Sequence, residues 1–407
     1  MVARCVMVLG TTSGAGKSFL ATALCRWYAR QGYKVAPFKA QNLSNNARVV
    51  ASRSGGVGEI GSAQYFQALA SFNEPNVKMN PLLIKPDSVS GSQVVLLGDV
   101  NYDLTNTPWQ DRSEQVWPTI AESLDDLRKE NDIVVIEGAG SPAEINLSSK
   151  DIVNLRVARY ANAKCLLITD IDRGGAFAHL YGTWALLSKE DRGLFKGFVL
   201  NKFRGNPDLL LPAPEMLQTL TDVPLVGILP IWKGHGLPEE DGVFDSVSTG
   251  AGDIKKTIAI ITYPYISNLD EFQVLKNIKG VRVIWARTFS DIKSLGSEDW
   301  IILPGSKSTT SDLMWLRHQG LDIAINQHVQ GGGFVLGICG GLQMLGEALI
   351  DSENIEGNTP GLGLLPLVTA FSKSKTVKHM ECQLGQVKGR LSPLSNTLIS
   401  GYEIHQG

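Results

Sequence analysis

Short apolar runs alternate with helical stretches through most of the chain. In the first half, apolar runs at residues 6–9, 133–136, 165–168 and 197–200 end in polar or Gly-rich turns, and residues 19–30 have the pattern of a helix. Runs that are apolar on both faces are typical of buried parallel strands, and helices between them indicate βαβ crossovers. Ligand-binding side chains are then expected at the carboxyl ends of the strands.

A second alternation begins at Thr257, with four further apolar runs at residues 258–261, 281–285, 300–303 and 334–336. The intervening residues 232–256 are polar, Gly-rich and without a clear period, which indicates a linker between domains. We therefore predict two α/β domains with parallel sheets, at residues 1–231 and 257–407.

The composition fits this picture and excludes several classes of function. A length of 407 residues suits two domains, and 43% hydrophobic residues supply an ordinary core. The net charge of −2 argues against binding to nucleic acid or to anionic membranes. No apolar run approaches the roughly 18 residues of a membrane span, and the amino terminus lacks a secretory cleavage site.

Cysteine usage predicts a reducing cytoplasm, because the five cysteines are odd in number, widely spaced and form no C-x-x-C pair. Cys5, Cys25 and Cys165 lie in apolar runs and are expected in the core. For Cys382 we have no functional argument, and only the local context of a cysteine can identify a nucleophile.

The first chemical motif is a Gly-rich loop between a predicted strand and a predicted helix. Glycines let backbone N–H groups converge on phosphate oxygens, and the helix N-terminus adds a favourable dipole. Lys17 is expected to reach the β- and γ-phosphates and the Ser18 hydroxyl to ligate Mg²⁺. The spacing G-x5-G-K-S is one residue longer than the usual P-loop. The predicted nucleotide-binding residues are Gly10, Thr11, Thr12, Gly14, Ala15, Gly16, Lys17 and Ser18.

Polar residues at other strand ends are candidates for the same site. Glu137 follows the run at 133–136 and is predicted to hold Mg²⁺ together with Ser18, directly or through water. Asn201-Lys202 resembles the base-reading pair of some P-loop proteins, although the usual Asp does not follow it. The candidates for contact with substrate or phosphate are Lys39, Gln41, Lys85, Asp170, Asp172 and Arg173.

The second motif is G-x-C-x-G on a sharp strand-to-helix turn. It is a nucleophile elbow in which Cys339 takes the place of the usual serine. Backbone N–H groups that follow the nucleophile supply half of an oxyanion hole. The predicted oxyanion and glutamine-site residues are Gly305, Gly340 and Gln343.

A thiol nucleophile needs a base, which is usually histidine. His318 and His328 lie in polar, helical stretches and are expected at the surface. His405, near the end of the chain, is the candidate partner of Cys339.

Longer strings point to a known family. They include PFKAQNLSNNA, GEIGSAQ, MNPLLIKPDSVSGSQVV, IEGAGSPAEINL, DIDRGGAFAHLYGTW, YPYISNLDEF, LPGSKSTTSDLMWLR and GICGGLQMLG. On these strings the chain resembles the cobyric acid synthases, glutamine-dependent amidotransferases of cobalamin biosynthesis. The resemblance covers nearly the whole chain. It implies a dethiobiotin-synthetase-like ATPase domain, whose loop has the longer spacing seen here, and a class I glutamine amidotransferase domain with a flavodoxin-like fold.

The resemblance also implies a reaction. ATP and Mg²⁺ would convert the peripheral b, d, e and g carboxylates of the corrinoid adenosylcobyrinic acid a,c-diamide to acyl phosphates. Ammonia from L-glutamine would then give adenosylcobyric acid. Because ammonia in bulk water at pH 7 is mostly ammonium, two sites in one chain suggest internal transfer.

Members of this family continue past GYEIHQG to a further Gly-x-Tyr-x-His-Gly segment, whose histidine resembles the partner of the catalytic cysteine. We therefore expect a truncated glutaminase domain, with substitution by His405 as the alternative.

Three other interpretations remain open. The related a,c-diamide synthase amidates an earlier corrinoid, and a bacterial cell-wall amidotransferase divides the two functions between two chains. A partition-type ATPase switch would make no product, but such proteins usually carry a second Lys early in the loop, where this chain has Thr11, Thr12 and Ser13.

Overall fold

The structure is a computed structural model that describes residues 2–52, 56–87, 91–232, 235, 237, 248–249 and 253–407. Its internal contacts divide the chain into two compact units. Unit 1 comprises Met1–Ser44, Ile60–Ile84 and Val94–Asp241, and unit 2 comprises Asn45–Glu59, Lys85–Gln93 and Gly242–Gly407. Two short segments of the first half of the chain therefore pack with the second half.

The first half contains twelve described strands: β1 Arg4–Gly10, β2 Val35–Phe38, β3 Gln41–Leu43, β4 Ala47–Ala51, β5 Val57–Gly61, β6 Leu82–Asp87, β7 Gly91–Leu96, β8 Asp99–Val100, β9 Ile133–Glu137, β10 Lys164–Asp170, β11 Phe195–Phe203 and β12 Leu225–Pro230. The described α-helices here are α1 Lys17–Arg30, α2 Ser62–Ala70, α3 Tyr102–Asn106, α4 Trp109–Glu130, α5 Leu155–Ala161, α6 Ala176–Ala185, α7 Lys189–Arg192 and α8 Ala213–Thr221.

Unit 1 is built on a six-stranded sheet in the order β12-β11-β10-β1-β9-β2, in which every described pairing is parallel. Hydrophobic clusters cover both faces of the sheet, which is why its strands are apolar on both sides. The P-loop strand β1 lies in the middle of the order, with β9 and β10 as neighbours. Its loop is therefore flanked by the ends of both strands. A four-stranded sheet, β3-β6-β7-β8, and the pair β4-β5 are formed by the intervening segments.

The second half contains ten described strands: β13 Ser248–Thr249, β14 Lys256–Ile261, β15 Val281–Ala286, β16 Trp300–Leu303, β17 Phe334–Gly337, β18 Ala348–Ile350, β19 Thr359–Pro360, β20 Val368–Ala370, β21 Thr376–Gln383 and β22 Leu398–His405. The described α-helices are α9 Gln273–Lys276, α10 Phe289–Ile292, α11 Thr309–His318, α12 Leu321–Gln330 and α13 Gly340–Leu345.

Unit 2 is built on a five-stranded sheet in the order β13-β15-β14-β16-β17, parallel except for the short edge strand β13. Two hydrophobic clusters pack against this sheet. The antiparallel pair β21-β22 and a three-stranded sheet, β19-β18-β20, complete the unit. Cys339 follows β17 at one edge of the main sheet.

The predicted α/β class with parallel sheets is confirmed, and each of the eight predicted apolar runs lies in a strand. The linker at 232–256 stays a prediction. Within it, Ser248–Thr249 pairs with β15 as a strand, and β14 begins at Lys256. The remainder of the predicted linker lies mostly outside the described residues.

Candidate functional site

The loop between β1 and α1 depends on two glycines with positive φ, Gly14 at +69° and Gly16 at +104°. A side chain at Gly16 would place its Cβ 2.0 Å from Asn201 Nδ2, so the loop backbone lies directly against the end of β11. The Asn201 amide donates a hydrogen bond to the Ala15 carbonyl oxygen at 3.0 Å. Since α1 starts at Lys17, the N–H groups of its first turn lie at the loop.

Lys17 turns back across this loop and is buried. Its Nζ donates hydrogen bonds to the carbonyl oxygens of Thr12 at 3.0 Å and Gly140 at 3.1 Å. Gly140 lies just after β9, so one ammonium group spans the ends of two neighbouring strands. A cation held in this place suits the β- and γ-phosphates of a nucleotide.

Glu137, the last residue of β9, is 1% exposed and receives three side-chain hydrogen bonds. Ser18 Oγ donates to Oε1 at 2.8 Å, Lys39 Nζ to Oε1 at 3.0 Å, and Gln67 Nε2 to Oε2 at 2.6 Å. Burial alone would raise the pKa of Glu137. The Lys39 charge and these hydrogen bonds outweigh burial and hold the pKa below its ordinary value, so the carboxylate is ionised at neutral pH.

The chemistry of Ser18 and Glu137 fits Mg²⁺, which prefers oxygen ligands and usually binds through one or two carboxylates plus substrate phosphates and water. Among the described residues, no group of three or more His, Cys, Asp or Glu side chains forms a self-sufficient metal cage. The donor set is therefore one that a nucleotide phosphate would complete.

Asp170 and Arg173 also lie beside the loop, on the β10 side. Asp170 Oδ2 is 3.0 Å from Lys202 Nζ and 3.5 Å from Arg173 Nε. Lys202 also donates to the Gly14 carbonyl oxygen at 3.3 Å. Asp172, by contrast, pairs with Arg204 at 2.8 Å on an exposed surface.

Two further predicted contacts have other surroundings. Gln41 begins β3, where it lies opposite Leu82 in the parallel pairing. Lys85 belongs to unit 2, where it forms an ion pair with Glu59.

Sequence reasoning gave little weight to Asn201 and Lys202, although both contact the P-loop backbone. The signal that identifies them is their position at the carboxyl end of a parallel strand. Gln67 was missed altogether, because it lies on α2 and reaches Glu137 only through the fold.

Cys339 sits on a strained turn between β17 and α13, with φ +50° and ψ −115°. The turn is crowded by backbone. A Cβ at Gly341 would lie 1.9 Å from the Leu303 carbonyl oxygen, and one at Gly337 would lie 2.6 Å from Leu342 Cα. Only glycine fits these positions, so the elbow geometry follows from G-x-C-G-G.

The Cys339 thiol is exposed at the surface and donates a hydrogen bond to the Ile404 carbonyl oxygen at 3.5 Å. Protein atoms crowd its other sides, and this desolvation raises the pKa of the thiol, against a smaller opposing effect of the Gly340 N–H. Formation of the thiolate therefore needs a proton acceptor. Cys5, Cys25 and Cys165 are buried, as predicted.

The predicted oxyanion and glutamine-site residues cluster around this thiol. A Cβ added at Gly305 would lie 3.9 Å from Cys339 Cβ, and Gly340 directly follows the cysteine. Gln343, one turn further along α13, accepts a hydrogen bond from Thr309 at 3.3 Å and donates one to the Gln406 carbonyl oxygen at 3.5 Å.

The histidines have mixed outcomes. His405 Nδ1 lies 2.8 Å from the Gly407 carbonyl oxygen, and its Nε2 lies 3.6 Å from Glu403 Oε2. Its role as the base for Cys339 stays a prediction.

His318 is exposed, as predicted, but the prediction for His328 was wrong. His328 is buried with Nε2 3.2 Å from the Asp299 carbonyl oxygen, because Gly333 leaves room for its ring.

An ionic cluster in unit 2 was also missed. Glu59 is enclosed by Lys85 and Lys375, and the three side chains are 1%, 5% and 11% exposed. Burial opposes ionisation of Glu59, but the two lysines lower its pKa to about 2. Burial and the Lys85 charge lower the pKa of Lys375 to about 7, although Glu59 opposes this shift. The sequence signal that could have found this cluster is a charged residue inside an otherwise apolar segment, as for Glu59 in VGEIG and Lys85 in LLIKP.

Comparisons with known proteins agree with this arrangement. Residues 6–240 match the family model described as the CobQ/CobB/MinD/ParA nucleotide binding domain. Residues 257–407 match the CobB/CobQ-like glutamine amidotransferase domain. The fold and the two sites thus define a glutamine amidotransferase ligase, in which a P-loop unit and a cysteine unit share one chain.

Full-length relatives narrow this class. The cobyric acid synthase of Variovorax paradoxus (strain S110) is 66% identical over 407 residues, covering 100% of this chain and 83% of that protein. The cobyric acid synthase of Albidiferax ferrireducens (strain ATCC BAA-621 / DSM 15236 / T118) is 65% identical over 408 residues, covering 100% and 82%. The chain belongs to the cobyric acid synthase family.

Solved structures are more distant. A nucleotide-binding protein in complex with ADP from Archaeoglobus fulgidus has a TM-score of 0.31 at 15% identity, covering 57% of this chain and 83% of that one. A glutamine amidotransferase structure has a TM-score of 0.26 at 17% identity, covering 37% and 70%. Neither adds to the assignment. Within the described part of the chain, no helix has the length and apolar character that crossing a membrane requires.

Proposed function

We propose that the protein amidates the peripheral b, d, e and g carboxylates of adenosylcobyrinic acid a,c-diamide. The reaction uses ATP, Mg²⁺ and L-glutamine and gives adenosylcobyric acid. One observation carries the proposal: two sites lie on one chain of this family. One is a P-loop whose Ser18 hydroxyl donates a hydrogen bond to Glu137, and the other is Cys339 on a strained elbow. We place the reaction in the cytoplasm, in keeping with five free cysteines.

The first step activates a corrinoid carboxylate, because an unactivated carboxylate would have to expel oxide. A carboxylate oxygen attacks the γ-phosphorus of ATP, which forms an acyl phosphate and releases ADP. Lys17 holds positive charge beside the transferred phosphate, while Ser18 and Glu137 would hold Mg²⁺. Bound Mg²⁺ neutralises phosphate charge. Lys39 and Gln67 keep the Glu137 carboxylate ionised and oriented.

The second step supplies nitrogen. The Cys339 thiolate attacks the side-chain amide carbon of glutamine, ammonia leaves, and water hydrolyses the glutamyl thioester to glutamate. The N–H of Gly340 and the loop at Gly305 face the oxyanion. Ammonia then attacks the acyl phosphate and expels inorganic phosphate. His405 is the proposed acceptor of the thiol proton.

The test compares two nitrogen sources. The purified protein is supplied with ATP, Mg²⁺ and the corrinoid, with either glutamine or ammonium chloride, and product is identified by mass. Cys339→Ala should abolish glutamine-dependent amidation and leave ammonium-dependent amidation unchanged, whereas Cys382→Ala on β21 serves as the matched control. Glutamine-dependent product from Cys339→Ala, or no product with ammonium, would overturn the proposal.

The same experiment decides between the rival substrates. Four added amides support the proposed reaction, and two amides added to an earlier corrinoid indicate the a,c-diamide synthase. Nucleotide hydrolysis without any amidated product would indicate the ATPase switch.

A further inference from the structure

Residues 45–48 belong to the nucleotide-binding half of the sequence but pack in unit 2. They contact the loop at residues 263–272. Asn46 Oδ1 accepts a hydrogen bond from Leu269 N at 2.9 Å, and Ala47 N donates to Asn268 Oδ1 at 3.1 Å. Asn268 has a positive φ of +55°, a conformation that asparagine adopts more readily than most residues, and its side chain is held by the bond from Ala47 N.

Arg48 strengthens this contact with a charge. Its guanidinium forms an ion pair with Asp270, whose side chain is 1% exposed, and lies 5.3 Å from the centre of the Tyr402 ring. Both interactions depend on the planar, permanently charged guanidinium. Arg48 thus touches the 263–272 loop and β22 at once.

Tyr402 connects Arg48 with the nucleophile, because it contacts Arg48 and lies on the same strand as the residue that contacts the Cys339 thiol. Its hydroxyl donates a hydrogen bond to Glu271 Oε1 at 2.7 Å and receives one from Asn268 Nδ2 at 3.4 Å. Two residues further along β22, the Ile404 carbonyl oxygen accepts the hydrogen bond of the Cys339 thiol at 3.5 Å. The ring of Tyr402 therefore fixes the stretch of backbone that contacts the sulfur.

A second route starts from the same loop. Ser267 N donates to the Gly305 carbonyl oxygen at 2.9 Å. A Cβ at Gly305 would lie 2.6 Å from Ser267 Oγ and 3.9 Å from Cys339 Cβ. The 263–272 loop thus supports both the oxyanion side and the thiol side of the glutaminase site.

We propose that Arg48 is a positioning residue for the Cys339 glutaminase, acting through Asp270 and Tyr402 on the backbone that contacts the thiol. This inference rests on the proposed function. A displacement of about 1 Å at reacting atoms costs on the order of 100-fold in rate. Loss of Arg48 should therefore lower kcat for glutamine by about 10- to 100-fold. The KM for glutamine should change little, because the route from Arg48 runs through Asp270 and Tyr402 to the backbone beside the thiol.

The test uses charge reversal and its rescue. Arg48→Asp and Asp270→Arg are each assayed, with the double variant, for glutamine-dependent and ammonium-dependent amidation. Each single variant should lose glutamine-dependent kcat and keep ammonium-dependent rate, and the double variant should recover most of the loss. Arg390→Glu, which breaks the exposed ion pair with Glu298 in the same unit, is the control and should behave as wild type.

Tyr402→Phe keeps the ring and removes only the hydroxyl contacts with Glu271 and Asn268, so it tests the route without introducing a buried charge if Arg48→Asp fails to fold. It should lower glutamine-dependent kcat and leave the melting temperature near that of wild type. Unchanged glutamine-dependent kcat in Arg48→Asp or Tyr402→Phe, equal loss with ammonium, or no recovery in the double variant would refute the positioning role. Glutamine use by Cys339→Ala would instead refute the proposed function.

Discussion

At the scale of single residues, the P-loop site depends on the absence of a side chain at Gly16 and on the three side chains that donate hydrogen bonds to Glu137. The loop lies against Asn201 because Gly16 has no Cβ. Glu137 keeps its charge because three donors surround it in a buried place. Both residues act through neighbours that are distant in the chain.

Gly16→Ala should abolish nucleotide binding, because the new Cβ would lie 2.0 Å from Asn201 Nδ2 in a backbone with φ +104°. Gly32→Ala is the matched control, since Gly32 also has a positive φ, +88°, but no atom within 4 Å of the added Cβ. Equilibrium binding of a fluorescent ATP analogue measures the effect. Similar binding by both alanine variants would show that the contact with Asn201 is unimportant.

Glu137→Gln should lower ammonium-dependent amidation by at least about tenfold and destabilise unit 1. The amide cannot neutralise buried Lys39, and breaking a buried ion pair costs about 3–5 kcal/mol. Rates at saturating ATP and chemical denaturation measure the two effects. Glu114→Gln, in the pair of the largely exposed Glu114 with Arg156, is the control, and a Glu137→Gln variant as active and stable as that control would contradict the prediction.

At the scale of elements, the elbow is a joint between β17 and α13 that backbone packing specifies. The Leu303 carbonyl oxygen at the end of β16 accepts a hydrogen bond from Ile338 N at 2.9 Å and occupies the space beside Gly341. The neighbouring helix α11 contributes Asp312, which accepts hydrogen bonds from Tyr265 N at 3.0 Å and Ser306 Oγ at 2.6 Å.

Gly341→Ala should destroy the elbow, because its Cβ would collide with the Leu303 carbonyl oxygen and backbone cannot move aside cheaply. The alkylation rate of Cys339 by iodoacetamide and glutamine-dependent amidation should both change, with ammonium-dependent amidation intact. Gly385→Ala, which meets no atom within 4 Å, is the control. Normal glutamine use by Gly341→Ala would show that the elbow tolerates a side chain.

Asp312 should make unit 2 less stable as the pH rises from about 4 to about 7. Burial raises the pKa of Asp312 to about 7, against opposing hydrogen bonds from Ser306 and Tyr265. The folded state then binds a proton that the unfolded state releases near pH 4, so the unfolding free energy falls with rising pH, by up to about 4 kcal/mol. Asp312→Asn should flatten this slope in denaturation measured between pH 5 and 7.5. An unchanged slope would exclude Asp312 as its source.

At the scale of the molecule, the compact units do not follow the two halves of the sequence. Segments 45–59 and 85–93 come from the nucleotide-binding half, yet they pack with residues 242–407 in unit 2. Glu59, Lys85 and Lys375 join one residue of each segment to the second half through buried charges.

Glu59→Gln should lower the unfolding free energy of unit 2 by about 3–5 kcal/mol, because Lys85 and Lys375 would remain buried without their counter-charge. Glu298→Gln, in a pair whose side chains are 60% and 64% exposed, should cost less than about 1 kcal/mol. Denaturant titration followed by a unit 2 signal, such as hydrogen exchange at the backbone amides of β14 and β16, measures both. Equal costs would show that the buried cluster contributes no more than a surface pair.

The P-loop and the cysteine elbow were predictable from the sequence, because each consists of consecutive residues whose conformations follow from Gly, Lys and Cys at fixed spacing. The apolar runs likewise predicted the parallel strands, since a strand buried on both faces must be apolar on both. Glu137 was predictable because it ends such a strand.

Only the tertiary structure decided that Gln67 and Lys39 hold Glu137, that His328 is buried, and that Arg48 packs beside Tyr402. These contacts join residues 29 to 354 positions apart, and their formation depends on strand order, register and the space left by neighbours. Local sequence carries no record of these quantities, because many different partners satisfy the same buried charge or ring equally well.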